Sequence, residues 1–171
     1  MHIVTGPDND KEAIIRQMVE THQTPLMRLC YLYLHDVQLA EDAVQETFIK
    51  AARTLDKFRG EASMKTWLTS IAMRTCCDMR RSFWFRWMDR RVTPEMLPDP
   101  VQSPLEEETA LTVAVMNLPQ KEREVILLYY YQDMNVNEIA RTLGVTQPTV
   151  SYRLKRAREK LRQELEGREE P

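Results

Sequence analysis

Apolar positions along this chain recur at the three-and-four spacing that gives a helix one buried stripe, and the pattern is clearest near its end. Between residues 134 and 165, Val136, Ile139, Ala140 and Leu143 form one stripe, and Gly144 closes it with a residue that enters the left-handed conformation without steric cost. Val145 can fold back as an apolar plug, Thr146 can cap the next helix, and Pro148 is tolerated in its first turn. Val150, Leu154, Ala157, Leu161 and Leu165 form the second stripe, while Arg153, Lys155, Arg156, Arg158, Lys160 and Arg162 crowd the other faces. This predicts a helix-turn-helix with a phosphate-seeking surface. The competing reading is a helical hairpin with a solvated charged face, and the Gly-Val-Thr turn followed by small polar residues argues against it.

Further upstream the same periodicity predicts more helices. Residues 1–10 lack a period and read as a loose end. Ile14, Ile15, Met18 and Val19 then form one stripe, and Leu26, Leu29, Cys30, Tyr33 and Leu34 another. With Pro25 suited to an early turn, this predicts two antiparallel helices. From residue 37 to 58, Leu39, Ala43, Phe48, Ala52 and Leu55 face a core and leave Glu41, Asp42, Gln45, Glu46 and Lys50 outside. The acids there complement the helix dipole or serve solubility. After a polar break at residues 58–61, a helix from Ser63 carries Trp67, Leu68, Ile71 and Ala72, then Arg74, Arg80 and Arg81. It leads to Phe83, Trp84, Phe85 and Trp87 around Arg86. Aromatics beside cations suit single-stranded nucleic acid, although Trp67 shares a core stripe and the later rings can close a bundle.

Residues 89–104 contain Pro94, Pro98, Pro100 and Pro104 and no stripe, which reads as a flexible Pro-rich linker. Helical spacing resumes from Leu105 through Leu118-Pro119 to Val125, Ile126, Leu128 and Tyr129. The expected fold is therefore all-α. It comprises an N-terminal helical bundle (residues 11–88), the linker (89–104) and a C-terminal helix-turn-helix domain (105–166).

Composition refines this picture. Only 4 glycines in 171 residues argue against a turn-rich β protein, and the net charge of -2 hides segregation, since Glu106, Glu107 and Glu108 offset the basic last helix. No apolar run approaches the roughly 20 residues that span a bilayer, and the start lacks the order of a signal peptide. A cytoplasmic protein without stable membrane insertion is expected. Cys76 and Cys77 lie too close together to suggest a disulfide framework or metal spacing, and read as reduced structural thiols. His22 and His35 stand too isolated for a metal site. No catalytic residue, cofactor or metal is predicted.

Five motifs in order resemble the extracytoplasmic-function (ECF) sigma factors of bacterial RNA polymerase. They are Leu39-Ala-Glu-Asp-Ala-Val-Gln-Glu-Thr-Phe48, Phe58-Arg-Gly60 with Thr66-Trp-Leu68, Asp78-Met-Arg-Arg81, Leu118-Pro119 with Glu122-Arg123, and Asn137-Glu-Ile-Ala140 through to Leu161. The resemblance implies a non-enzymatic alternative sigma factor that binds core polymerase, recognises promoter DNA at two elements and opens the duplex. It implies that Glu41, Asp42, Gln45 and Glu46 dock on core polymerase. It further implies that Arg59, Met64, Lys65, Arg74, Arg80 and Arg81 meet the single-stranded minus-ten element. Met64 stands where an aromatic is common in the family, and Arg74 where an Asn is common, so the base preference does not transfer. The second domain resembles the reader of the double-stranded minus thirty-five element. There Thr149, Ser151, Tyr152, Lys155 and Arg156 face the groove, with Lys155 or Arg156 suited to guanine and Arg153 and Arg158 to phosphates. The linker, with Asp99, resembles a segment threaded through polymerase, and an acidic spacer fits its composition equally. The resemblance also implies an anti-sigma partner.

Two other classes compete with this expectation. A repressor acting alone needs a dimer on two half-sites, and no long heptad seam is available for one. A recombinase needs a nucleophile with its base or metal, and neither Ser63 nor Ser70 has such a setting.

Overall fold

The computed structural model describes residues 7–82 and 106–167, with side chains for residues 9–82 and 109–167. The aromatic group at 83–87, the expected linker at 89–104 with Asp99, and the side chains of the 106–108 acids lie outside these residues. All the described elements are helical: α1 (Pro7–Leu34), α2 (Val37–Thr54) with a 3-10 turn (Leu55–Lys57), and α3 (Met64–Ser82) in the first unit. The second unit holds α4 (Glu106–Met116), α5 (Gln120–Ile126) running into a π-helical turn (Leu127–Tyr131), α6 (Val136–Leu143) and α7 (Gln147–Glu166). None of these helices is long and apolar enough to cross a membrane.

Where the spacing predicts two helices before residue 35, the structure has one, with Pro25 inside it. The reason lies in packing. In a continuous helix Met18, Leu26, Leu29 and Tyr33 fall on one face, and all four are buried. Their contacts with α2 and α3 outweigh the roughly 3 kcal/mol that an interior proline costs. The Pro25 carbonyl also accepts from Gln132 Nε2 at 3.5 Å, which ties this stretch of α1 to the second unit. Residues 7–10, expected to be loose, belong to the same helix, whose first residue is Pro7, a position where a missing N–H does no harm.

Helix α2 starts at an Asp36 cap whose carboxylate accepts from the Leu39 N–H at 2.9 Å. Its first turn holds no acid, so the cap complements the dipole in place of the acids expected there. Small side chains at Ala40, Ala43 and Ala51 are fully buried and let α1 and α3 approach closely, while the expected core residues Leu39, Phe48, Ala52 and Leu55 are half-buried.

In the second unit, Arg123 fixes the corner between α4 and α5. It is 4% exposed, and its Nη1 donates to the Met116 and Leu118 carbonyls at 2.7 and 3.2 Å. Burial, reinforced by Arg80, lowers its pKa to about 10, so it stays charged at neutral pH.

The two units share one continuous core, because α1 packs on α4 and the π turn, and α3 packs on α6. Polar pairs line the junction. Tyr33 OH donates to Glu124 Oε1 at 3.0 Å and accepts from Gln120 Nε2 at 2.8 Å. Thr69 Oγ1 donates to Gln132 Oε1 at 3.2 Å, the Ser70 and Thr142 hydroxyls lie 2.8 Å apart, and Lys65 Nζ meets Asp133 Oδ2 at 3.2 Å.

Candidate nucleic-acid interface

The turn between α6 and α7 has the expected construction. Gly144 sits at φ 66 and ψ 36 beyond the last turn of α6, and the Thr146 hydroxyl accepts from the Thr149 N–H at 3.3 Å. A further device is a capping box, in which Asn135 Oδ1 accepts from the Glu138 N–H and Glu138 Oε2 from the Asn135 N–H, each at 2.9 Å. Asn135 followed three residues later by Glu138 was a readable signal for this helix start. Val150, Leu154 and Ala157 are buried, and Leu161 and Leu165 half-buried, which fixes the rotation of α7.

That rotation leaves Ser151, Tyr152, Lys155 and Arg156 exposed, with Thr149 and Arg153 half-buried at the margin. Arg158 is exposed but turned elsewhere, since its Nε donates to Tyr130 OH at 2.7 Å and its guanidinium lies 5.4 and 5.6 Å from the Tyr129 and Tyr130 ring centres. Arg153 faces the cleft that holds Arg74, Arg80 and Arg81. The outer face of α7 is thus a compact polar and cationic patch, flanked by cations at two different places.

In the first unit the expected strand-binding residues fall into three groups around α3. Arg59 and Arg74 border one cavity of about 420 Å³, together with Phe58 and Trp67, whose ring centres are 4.9 Å apart and tilted by 36°. Trp67 is half-buried against the core, so core packing and a stacking surface are both present. Arg80 and Arg81 line the neighbouring cleft. One Arg80 nitrogen, Nη1, is buried and has no hydrogen-bond partner among the described residues, while the guanidinium lies 5.8 Å from the Tyr33 ring centre. Lys65 is on a third side, in its pair with Asp133, and Met64 packs against the core. Helix α6 supplies Arg141 and Thr142 to the rim of the Arg59 cavity, so the second unit sits over part of the surface that carries the expected strand-binding residues.

On α2, Glu41, Asp42 and Gln45 are exposed, and Glu46 is half-buried with Lys50 Nζ at 3.7 Å. Within this acidic face Ile49 is 45% exposed, an apolar residue that the search for polar candidates passed over. Spacing held the signal, since position 49 follows 42 and 45 on one helix face.

A hydrogen bond with Cys30 and burial push the Cys76 thiol well up, and burial raises Cys77.

Residues 18–86 match the Sigma-70 region 2 family model, and residues 114–163 match Sigma-70, region 4. Over 162 residues the chain is 30% identical to the ECF RNA polymerase sigma factor SigW of Bacillus subtilis (strain 168), covering 86% of this chain and 87% of that protein. Among solved structures, CnrH in complex with the cytosolic domain of CnrY shares 27% identity and a TM-score of 0.67, over 91% of this chain and 90% of that one. The sigma factor RpoE of Bartonella quintana, in complex with the anti-sigma factor NepR, shares the fold at a TM-score of 0.71 and 22% identity, over 88% of this chain and 96% of that one. The chain belongs to the extracytoplasmic-function sigma factors of bacterial RNA polymerase. As an alternative sigma factor, it binds core polymerase and promoter DNA and directs promoter-specific transcription initiation.

Proposed function

We propose that the two units divide promoter recognition between them, residues 11–88 taking core polymerase and the minus-ten strand, and residues 105–166 taking the upstream duplex, with 89–104 as the connection. Helix α7 reads the major groove with Thr149, Ser151, Tyr152, Lys155 and Arg156, while Arg153 and Arg158 meet phosphates at its margins. The observation that carries this reading is the exposure of Ser151, Tyr152, Lys155 and Arg156 on a helix whose entry is set by Gly144 and Thr146. Arg59, Lys65, Arg74, Arg80 and Arg81 hold the phosphates of the melted strand. Phe58 and Trp67 offer the surface on which a base stacks, and Met64 supports α3 from the core side.

The acidic face of α2, with Glu41, Asp42, Gln45 and Glu46 around the exposed Ile49, docks on polymerase. Acids there give steering and register against a basic partner, and Ile49 gives apolar contact. The protein acts beside polymerase in the cytoplasm and does no covalent chemistry itself. Because CnrH and RpoE are found in complexes with CnrY and NepR, we extend an anti-sigma partner to this chain as well.

Replacing Asp42 and Glu46 together with Lys tests the docking face. Gel filtration with core polymerase is expected to lose the complex while the melting temperature of the free protein stays unchanged. Retained polymerase affinity overturns the assignment. Sequencing the 5′ ends of transcripts made in vitro by core polymerase plus this protein then yields both promoter elements for the tests below.

A further inference from the structure

Glu122 lies in the first turn of α5 and is only 8% exposed, yet the partners of its carboxylate come from α7. Lys160 Nζ donates to Oε1 at 3.0 Å and to Oε2 at 2.9 Å, and Arg156 Nε reaches Oε1 at 3.4 Å. Arg156 is held a second time, because its Nη1 donates to Tyr152 OH at 3.1 Å. A guanidinium has five N–H donors in a rigid plane. With Nε at ion-pair distance from the carboxylate and Nη1 on the phenol, Nη2 has no hydrogen-bond partner among the described residues. The Nη1–Nη2 edge, an end-on fork turned away from the carboxylate, is the one that can offer two donors to guanine O6 and N7.

An untethered arginine on the same helix samples many rotamers and binds any phosphate within reach, as does an unpaired lysine. The Glu122 carboxylate therefore acts twice. It limits Arg156 to one reading edge, and it offsets one unit of the positive charge that Arg156 and Lys160 together bring to the helix, charge that otherwise draws it to DNA of any sequence.

We infer that Glu122 is a positioning residue for upstream-element recognition, holding Arg156 with its end-on fork toward the groove and suppressing sequence-independent binding by Arg156 and Lys160. The inference rests on the assignment of Arg156 to base reading. It differs from a plain tie between α5 and α7 in what it predicts, since loss of a tie weakens all binding together, whereas loss of an orienting carboxylate trades specificity for general affinity.

The test uses holoenzyme assembled from core polymerase and the full chain, with a pool of promoter fragments randomised across the upstream element, and a nonspecific duplex titrated with salt. In Glu122→Gln the preference for guanine at the position read by Arg156 is expected to fall about tenfold. Affinity of the free protein for the nonspecific duplex rises, and its salt slope steepens by up to about one. In an Arg156→Ala background, Glu122→Gln changes the preference no further. Lys160→Met, which leaves Glu122 with Arg156 alone, keeps the guanine preference within about twofold of the parent.

If Arg156→Ala loses the preference while Glu122→Gln keeps it, the Glu122 inference falls and the reading of Arg156 stands. If Arg156→Ala keeps the preference, the reading of Arg156 falls and the inference with it. An equal loss of preference in Lys160→Met and Glu122→Gln makes the carboxylate a structural tie and overturns the inference. Should Glu122→Gln fail to fold, Lys160→Met alone keeps the inference open to refutation, since loss of the guanine preference in that variant overturns it.

Discussion

On α7 the side chains of Ser151, Tyr152, Lys155 and Arg156 stand exposed, and the helix that carries them is aimed by local devices: Gly144, the Thr146 cap and the buried line of Val150, Leu154 and Ala157. On α3, by contrast, Lys65, Thr69 and Ser70 are each bonded to a residue of the second unit, Asp133, Gln132 and Thr142. The face proposed to read the duplex is carried by one helix, with Ser151, Tyr152, Lys155 and Arg156 exposed on it. The face proposed to bind the melted strand is partly covered by the other unit, and Lys65 shares its charge with Asp133 there. One chain thus carries a reading surface set in advance beside another that depends on how its units are placed.

The contrast can be broken most forcefully at Arg123, which sets the corner on which the second unit is built. Its Nη1 serves two carbonyls in a region where water cannot replace it. Arg123→Ala leaves the Met116 and Leu118 carbonyls unpaired and is expected to cost about 3 kcal/mol. Urea unfolding, with the midpoint shifted at unchanged slope, measures this. A loss below about 1 kcal/mol contradicts the role given to the corner.

His35 tests the junction through pH. It ends α1 at φ 60, and its pKa is lowered to about 4 by burial, then by Arg123 and Arg80. An unfolded His35 takes up its proton near 6.5, whereas the folded chain does so only near 4, so between these values the unfolded state binds the extra proton. The His35 contribution to stability is therefore full above about pH 6.5 and is lost as pH falls toward about 4. Allowing for partial exposure, the loss is about 2 kcal/mol. His35→Asn, which keeps a residue tolerant of positive φ, is expected to flatten that part of the stability-pH profile. An unchanged profile removes His35 from the account.

These two residues show where sequence reading stops. The helix-turn-helix was legible almost completely, because its stripes, stop and cap are local in the chain and each obeys a short-range rule. Pro25 misled because a proline signals a break locally, while the reason for continuing, a shared face from Met18 to Tyr33, emerges only once α2 and α3 are packed. The pairs Lys65–Asp133 and Tyr33–Glu124 join residues 68 and 91 positions apart, beyond any periodicity. Glu122 was visible as part of a motif, but its bonds to α7 were not. The grouping of the expected DNA contacts was not readable: Arg59 and Arg74 share one cavity, Arg74 also lines the cleft of Arg80 and Arg81, and Lys65 lies apart with Asp133.

Gly144 probes the locally set half of the comparison at smaller cost. Among the described residues no atom outside its own neighbourhood lies within 4 Å of a Cβ built there, so the effect of Gly144→Ala is the backbone strain at φ 66. The expected loss is about 1 kcal/mol in thermal or urea unfolding, with Gly144→Asn recovering part of it. Upstream-element binding should fall further than stability alone explains, since the angle between α6 and α7 is altered. Equal stability in the alanine variant contradicts the claim that left-handed geometry sets this turn.

The smallest effect on stability, and the sharpest on the contrast, belongs to Asp133. Its side chain is 84% exposed and that of Lys65 38%, so solvent screens the pair, and breaking it costs at most about 0.5 kcal/mol. Asp133 has φ 54, which makes Asn the replacement of choice because it accepts that backbone and removes only the charge. Asp133→Asn is expected to leave the melting temperature nearly unmoved. The same change frees Lys65 for phosphate, and a cation released from a carboxylate strengthens single-strand binding in low salt more than in high salt. The measurement is the affinity of the full chain for a single-stranded oligonucleotide at two salt concentrations, with the upstream duplex as control. A gain on the single strand and none on the duplex supports a strand site held by the second unit. The same gain on both makes Lys65 a general cation, and the two DNA surfaces are then not separately controlled.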